Sequence, residues 1–550
     1  MPTSFRIDRV FGDRPFAEVG EPVLTVDDES RGLMAVAGRH LPVAGVPDFG
    51  FVAPVGVYGT DDLACRALLR ARHPVHAMAF HPTLPLLTVG SGAYDGGYFF
   101  EGELLLLDLE TGRTTSLIEH PLGRQVLGLE WLDEHELRVL MAPYDDWQDE
   151  AARREGHLAV IRRPDWTAVP PRSIGAGDLA GPRVTAPRED RREEARRTLS
   201  GLSAAWNPRR NVRAVEELSD GRIVATLDGV RLECWLPSGR RQWAVPDRDG
   251  DGDGDGDGGR DIVVAPDERT AWVGLHGPPS QDRARPVVRL ALHDGAQLDH
   301  LAPSTAASLV RSADGLPALA PAGANGERSR LRIRRGSRIY FRETAEGKSR
   351  RRDGRREVRL VAVDLGAVPD AGRPREPERS DTRHVSPYSW EPGETHFAGP
   401  GVETADGDLI HAGTVHDGRG LQPGGSFVVR RTVGGERPAW DFRTDRKATD
   451  LDLDLDHGTG TGTGTVYVTY DDGEIVALDP QDGSVRRRRH LTVAGVPVVA
   501  SALTVAGPGR LLLGTTDGRV LVCTTPAPLP SPPAHPSPAY QTDDRNQERM

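Results

Sequence analysis

The chain has 550 residues, 37% of them hydrophobic and 27% charged, the composition of a globular body carrying irregular insertions rather than of a disordered chain. A formal net charge of −12 argues against nonspecific binding of nucleic acid or anionic membrane by the body as a whole. No stretch reaches the roughly 18 uninterrupted apolar residues of a membrane span. The opening MPTSFRIDRVFGDRPFAE lacks the apolar core of a signal peptide, so a cytoplasmic protein with no membrane contact is expected. Three scattered cysteines, Cys65, Cys234 and Cys523, with no C-x-x-C pair, read as buried free thiols rather than disulfides or zinc ligands. Lys348 and Lys447 are the only lysines, an arginine bias typical of a GC-rich bacterial genome.

In chain order, SFRIDRV (Ser4 to Val10) alternates polar and apolar residues and reads as a strand. VHAMAFHPTLPLLTVGSG and then GELLLLDLETGR supply four more strands, with His81 at a turn. Further copies follow at Gly229 (GVRLECWLPSGR), Val288 and Val358, with looser versions at Gly156 (GHLAVIRRPDW) and Gly425 (GSFVVRRTVGGE). The clearest unit is VYVTYDDGEIVALDPQDGSV from Val466, and VVASALTVAGPGRLLLGTTDG leads into GRVLVCTT at the end. Asp228-Gly229, Asp472-Gly473 and Asp517-Gly518 suit tight hairpins, because both central residues of such a turn take positive φ. Strand, turn, strand, Asp-Gly, strand, Gly turn, strand, at a spacing of roughly 40 to 70 residues, is the pattern of a propeller blade.

Val75 to His120 resembles a WD40 repeat that lacks the terminal Trp-Asp pair, and Val466 to Val485 resembles a pyrroloquinoline-quinone-type or YVTN-type repeat. The resemblance implies an all-β fold, a single β-propeller of about eight (seven to nine) four-stranded blades over residues 1–525, with residues 1–18 as closing strand for the last blade. Insertions are expected at about 173–210, 247–260 and 321–357. The Pro-rich segment 526–550 reads as a disordered tail.

Several segments invite a chemical reading. DRDGDGDGDGDGGRD mimics the start of a calcium loop, but the bidentate Glu is missing, and a linker is expected instead. In LDLDLDHGTGTGTGT, Leu451, Leu453 and Leu455 are expected on the buried face of a strand, followed by a loop. PREDRREEARR reads as a short surface helix or a disordered segment. Tyr94, Tyr98, Phe99 and Phe100 crowd into one connection, and Tyr144, Asp145, Asp146 and Trp147 into the corresponding one of the next unit. Rigid aromatics of this kind anchor partners, so both are candidate partner-binding loops on one rim.

Arg328 to Arg359 holds thirteen arginines and Lys348 against Glu343, Glu346, Asp353 and Glu357. Arg332, Arg334, Arg335, Arg338, Arg350, Arg351 and Arg352, with Tyr340 and Phe341 for stacking, are candidate polyanion contacts. No H-E-x-x-H, G-x-S-x-G or P-loop occurs. These features point to a non-catalytic scaffold with a protein partner and no cofactor. A quinoprotein-like enzyme and a nucleic-acid binder are the alternatives.

Overall fold

The computed structural model describes residues 5–39, 41–42, 51–94, 100–118, 124–143, 154–186, 189–247, 258–276, 286–301, 307–312, 315–321, 331–333, 336, 338–344, 358–364, 383–388, 394–396, 399–416, 421–432, 435, 437–455 and 464–525. Almost every element is a short strand, joined to the next by a local turn. Gly229, Gly473 and Gly518 sit at φ of 77, 87 and 84°, the left-handed geometry that selected Asp-Gly at these positions. The hairpins assemble into antiparallel sheets, six of them four-stranded among the described residues.

One sheet joins the two ends of the chain. Arg6–Phe11 is the outer strand, paired antiparallel with Val520–Thr524, which is followed by Arg510–Thr515 and then by the inner Ala500–Gly507. On one face, Leu503, Leu511 and Leu513 pack against Tyr467, Ile475 and Ala477 of the preceding sheet, residues 448–490. On the other, Leu512, Val520 and Val522 pack against Val212, Val215 and Ile223 of the sheet spanning residues 212–246. From there the stacking continues onto residues 258–301 and then 307–321. The sheet over residues 400–444 packs in turn on residues 448–490.

Both faces of the closing sheet are thus occupied, and neither neighbour comes from residues 22–185. The earlier hairpins form an arc of three sheets instead, over residues 22–71, 75–116 and 126–185. Their contacts are propeller-like: Val55 and Val57 of the first pack on Val75 and Leu87 of the second, and Leu104 and Leu106 of the second on Val126 and Val139 of the third. The chain leaves the ring through residues 12–21 and returns through residues 203–211.

Neighbouring sheets of the ring are also stitched through polar groups. An innermost strand exposes an edge of unpaired backbone groups, which must find partners once buried. In Ala448–Asp454 the leucines face the preceding sheet, while the aspartates reach forward to that edge. Asp450, Asp452 and Asp454 accept from the backbone N–H groups of Leu503, Val505 and Gly509 at 2.7, 2.8 and 2.8 Å. Ser501 and Thr504 repeat the device one sheet on, donating to the carbonyls of Val212 and Val215 at 2.7 and 2.6 Å. Close approach is allowed by a second-strand glycine: a Cβ on Gly514 would lie 2.4 Å from Val212 Cγ1, and one on Gly90 would lie 2.5 Å from Val126 Cγ1.

The sequence expectation for LDLDLD is therefore half of what is found. Leu451 and Leu453 are buried as expected, but Asp450 and Asp452 are buried too, at 1% and 0% exposure. Within the first insertion, Arg192–Leu202 is a helix whose Ala195 and Leu199 are buried. Gly258–Val264 is a strand, while residues 248–257, 322–330, 345–357 and the tail lie outside the described residues.

Asp452→Asn places an amide where the Val505 and Leu453 N–H groups both require an acceptor. We expect a loss of about 1–3 kcal/mol in urea unfolding. Arg6→Ala, on a side chain 76% exposed, is expected to change stability by less than about 0.5 kcal/mol.

Candidate functional site

Residues from five strands meet at one cavity. Its volume is about 50 Å³, and it is lined by Arg213 and Glu216, Asp261, Arg311, Ile333 and Asp450. Arg311 pairs with Glu216 at 3.0 Å and Arg213 with Asp228 at 2.9 Å. The wall is charged but largely self-neutralised, and the volume suits a few ordered waters. Sites that enclose a cofactor-sized ligand measure roughly 300–1,000 Å³.

A second concentration of charge lies where the arc meets the ring. Arg14 is buried and donates to the carbonyls of Asn207, Arg209 and Asp517 at 2.7, 2.7 and 3.1 Å. Burial, reinforced by Arg209, pulls its guanidinium down to about 10. Arg209 forks onto Glu233 at 2.6 and 2.7 Å, with both side chains nearly inaccessible. Arg519 pairs with Asp517 at 2.6 Å and faces Glu18 and Asp13 at 3.4 and 3.3 Å. Burial acts to raise the Asp517 carboxyl, but Arg519 and Thr515 hold it below the usual carboxylate range. Glu18 in turn accepts from the Tyr58 hydroxyl at 3.1 Å. Arg70, on the last strand of the first arc sheet, donates to the Pro497 carbonyl at 3.0 Å.

The sequence-marked residues fall in different places. Tyr94 and Phe100 are cross-strand partners at the end of the Leu86–Tyr94 and Phe100–Asp108 hairpin. Tyr98, Phe99, Tyr144, Asp145, Asp146 and Trp147 lie outside the described residues, as do Arg334, Arg335, Arg350, Arg351 and Arg352. Arg332 pairs in parallel with Pro400, and Phe341 pairs with Val361. Arg338 donates to the Gly407 carbonyl at 3.0 Å.

Tyr340 corrects the stacking expectation. It is 3% exposed among Leu331, Leu360 and Leu409, and its hydroxyl donates to Glu403 at 2.7 Å. Burial and the adjacent Glu403 push its ionisation well up, so the residue is a core member with a satisfied hydroxyl, not a platform for bases. His81 is a structural turn residue: Nδ1 accepts from the Thr83 and Leu84 N–H groups, and Nε2 lies 3.0 Å from the Glu134 carbonyl. Cys234 and Cys523 are buried free thiols; Cys65 is half-buried, and burial pushes it and Cys523 up to about 12.

The outer strand Val485–His490, VRRRRH, holds a run of arginines with no local motif to mark it. Arg486 pairs with Asp479 at 2.6 Å, Arg488 forks onto Glu474 at 2.8 and 2.7 Å, and Arg489 donates to the Phe5 carbonyl at 2.7 Å. A charged, exposed edge of this kind blocks pairing with a further strand.

No family model and no curated protein matches the chain. Among solved structures it is similar to the WD40 repeats of RRP9, at 10% identity and a TM-score of 0.36 over 58% of this chain and 96% of that one. It is also similar to extracellular domains 1-2 of Drosophila semaphorin 1a, at 12% identity and a TM-score of 0.36, covering 58% and 87%. A third is BamB from Moraxella catarrhalis, at 14% identity and a TM-score of 0.22, covering 92% and 97%. The stacked antiparallel sheets and the one sheet shared by the two chain ends define a β-propeller of degenerate repeats. No helix among the described residues is long and apolar enough to cross a membrane.

One carboxyl at the ring's turns titrates in an accessible range. Burial, then the neighbouring Asp472, push Asp471 up to about 6, against the opposing pull of Lys447 and Arg446. The folded state therefore favours the protonated form, and wild-type stability falls as pH rises from about 4 to 6. Asp471→Asn removes that dependence while keeping an acceptor for the Lys447 N–H. The variant should match the wild type near pH 4 and exceed it by up to about 3 kcal/mol at pH 8, read from urea titrations at both pH values.

Proposed function

We propose that the protein is a non-catalytic propeller scaffold that binds another protein through the long connections of its sheets. The observation that carries this reading is positional. In the sheets over residues 212–246, 448–490 and 500–524, the second and third strands are joined by the short Asp-Gly turns at Asp228, Asp472 and Asp517. The same connection is the one enlarged between Tyr94 and Phe100, between Met141 and Glu155, and between His276 and Val287. Insertions that recur at one position of a repeat emerge at one end of the stacked sheets, as binding loops on a rigid mount do.

The burial of Tyr340 removes one of the two aromatics that would have supported nucleic-acid binding by the arginine segment.

The test is quantitative partner recovery from the protein's own cells, comparing the wild type with a Tyr98→Ala, Phe99→Ala, Phe100→Ala triple variant of unchanged melting temperature. The scaffold reading expects a defined set of proteins to fall at least about tenfold in the variant, the scale of a lost hot spot. Equal recovery by both proteins would remove these aromatics from the reading, and recovery of nuclease-sensitive material alone would favour the arginine segment.

A further inference from the structure

The apolar cores divide at the point where the ring closes. Among the described residues, each apolar cluster drawn from the arc, residues 22–185, excludes every residue from 212 onwards, and each ring cluster excludes the arc.

Both ends of the arc are also finished by its own chain and its connections. At the first sheet, the face bearing Met34, Val36 and Tyr58 is covered by Phe16 and Val19 from the outgoing segment and by Leu199 of the helix Arg192–Leu202, with Trp206 beside them. A ring member would present that face to another sheet. At the third sheet, the far face carries the cross-strand ion pairs Glu130 with Arg138, at 2.7 Å, and Glu136 with Arg162, at 3.4 Å. Val160 on the same face is 49% exposed. On that face exposed ion pairs stand among the half-buried Leu140 and Leu158, a mixed surface with no sheet against it among the described residues, as at the end of a stack of repeats in water.

What joins arc to ring is ionic and hydrogen-bonded. Arg14 ties the outgoing segment to the returning one and to the Asp517 turn. Arg519 reaches Glu18, which holds Tyr58 of the arc, and Arg70 reaches Pro497. Glu21 is clasped by Arg210 at 2.5 Å, by Arg39 at 3.6 Å and by Arg196 of the helix. Units with separate cores and a polar interface open separately, because breaking the interface exposes little apolar surface.

We infer that residues 22–202 form a second cooperative unit, docked on an independently closed ring, which opens from it as a body about the crossing segments 12–21 and 203–211. The arc thus sets the orientation of its own connections relative to those of the ring. This holds whether or not the scaffold reading is correct.

Native-state hydrogen exchange of the full chain in increasing urea, read by peptide mass spectrometry, tests the inference. In the wild type, amides of residues 22–185 are expected to open together at lower urea than those of residues 212–246 and 500–524. Tyr58→Phe, which removes the bond to Glu18 and leaves the ring untouched, should raise the arc's opening constant by roughly fivefold without moving the ring's. A single event in which arc and ring amides open together in the wild type overturns the inference whatever the variant does. An equal shift of both regions in Tyr58→Phe also overturns it.

Discussion

A short twisted sheet with two apolar faces cannot stand alone in water, and this constraint organises the whole chain. The repeat supplies such sheets one after another, and every one of them must find a cover on each side. In the ring the covers are other sheets, so the series closes on itself when Val212 meets the sheet that contains both chain ends. In the arc the series stops after three sheets: one end face is covered by a helix, and the other carries exposed charged pairs. The difference between ring and arc lies in how the last face is finished, not in how the strands are made.

Closure is then fixed by contacts that tolerate little variation. Gly514 admits Val212, and the side chains of Asp450, Asp452, Ser501 and Thr504 satisfy backbone groups of the neighbouring inner strand. These groups carry no apolar burial of their own, yet losing one strands a buried donor or acceptor, which costs more than the bond contributes. The buried arginines at the junction follow the same logic: Arg14 caps carbonyls, and Arg209 is neutralised by Glu233.

The hairpins were legible in the sequence because their signals are local: Asp-Gly at the turn, alternation in Arg6–Phe11, apolar runs such as LLLLD and LLLG. Which sheet packs on which was not, since that depends on surfaces brought together across hundreds of residues, and the arc's hairpins carry the same local pattern as the ring's. The Asp face of LDLDLD looked solvent-facing because a lone strand offers no hint that its neighbour's backbone edge will need acceptors. Tyr340 looked available beside so many arginines, although Glu403, its hydroxyl partner, lies 63 residues away in sequence. The aromatic connections were conspicuous by composition alone, and among them only Tyr94 and Phe100 fall on described strands.

The central claim is that the sheet holding both chain ends packs directly on the sheet that begins at Val212, bypassing the three sheets over residues 22–185. A double-mutant cycle on Gly514 and Val212 addresses that contact directly. Gly514→Ala inserts a methyl 2.4 Å from Val212 Cγ1 and 2.6 Å from its Cβ, so it should destabilise strongly alone and much less in a Val212→Gly background, a coupling of about 1–2 kcal/mol in urea unfolding. Additive effects within about 0.3 kcal/mol would mean that the two residues do not touch, and that the ring does not close there.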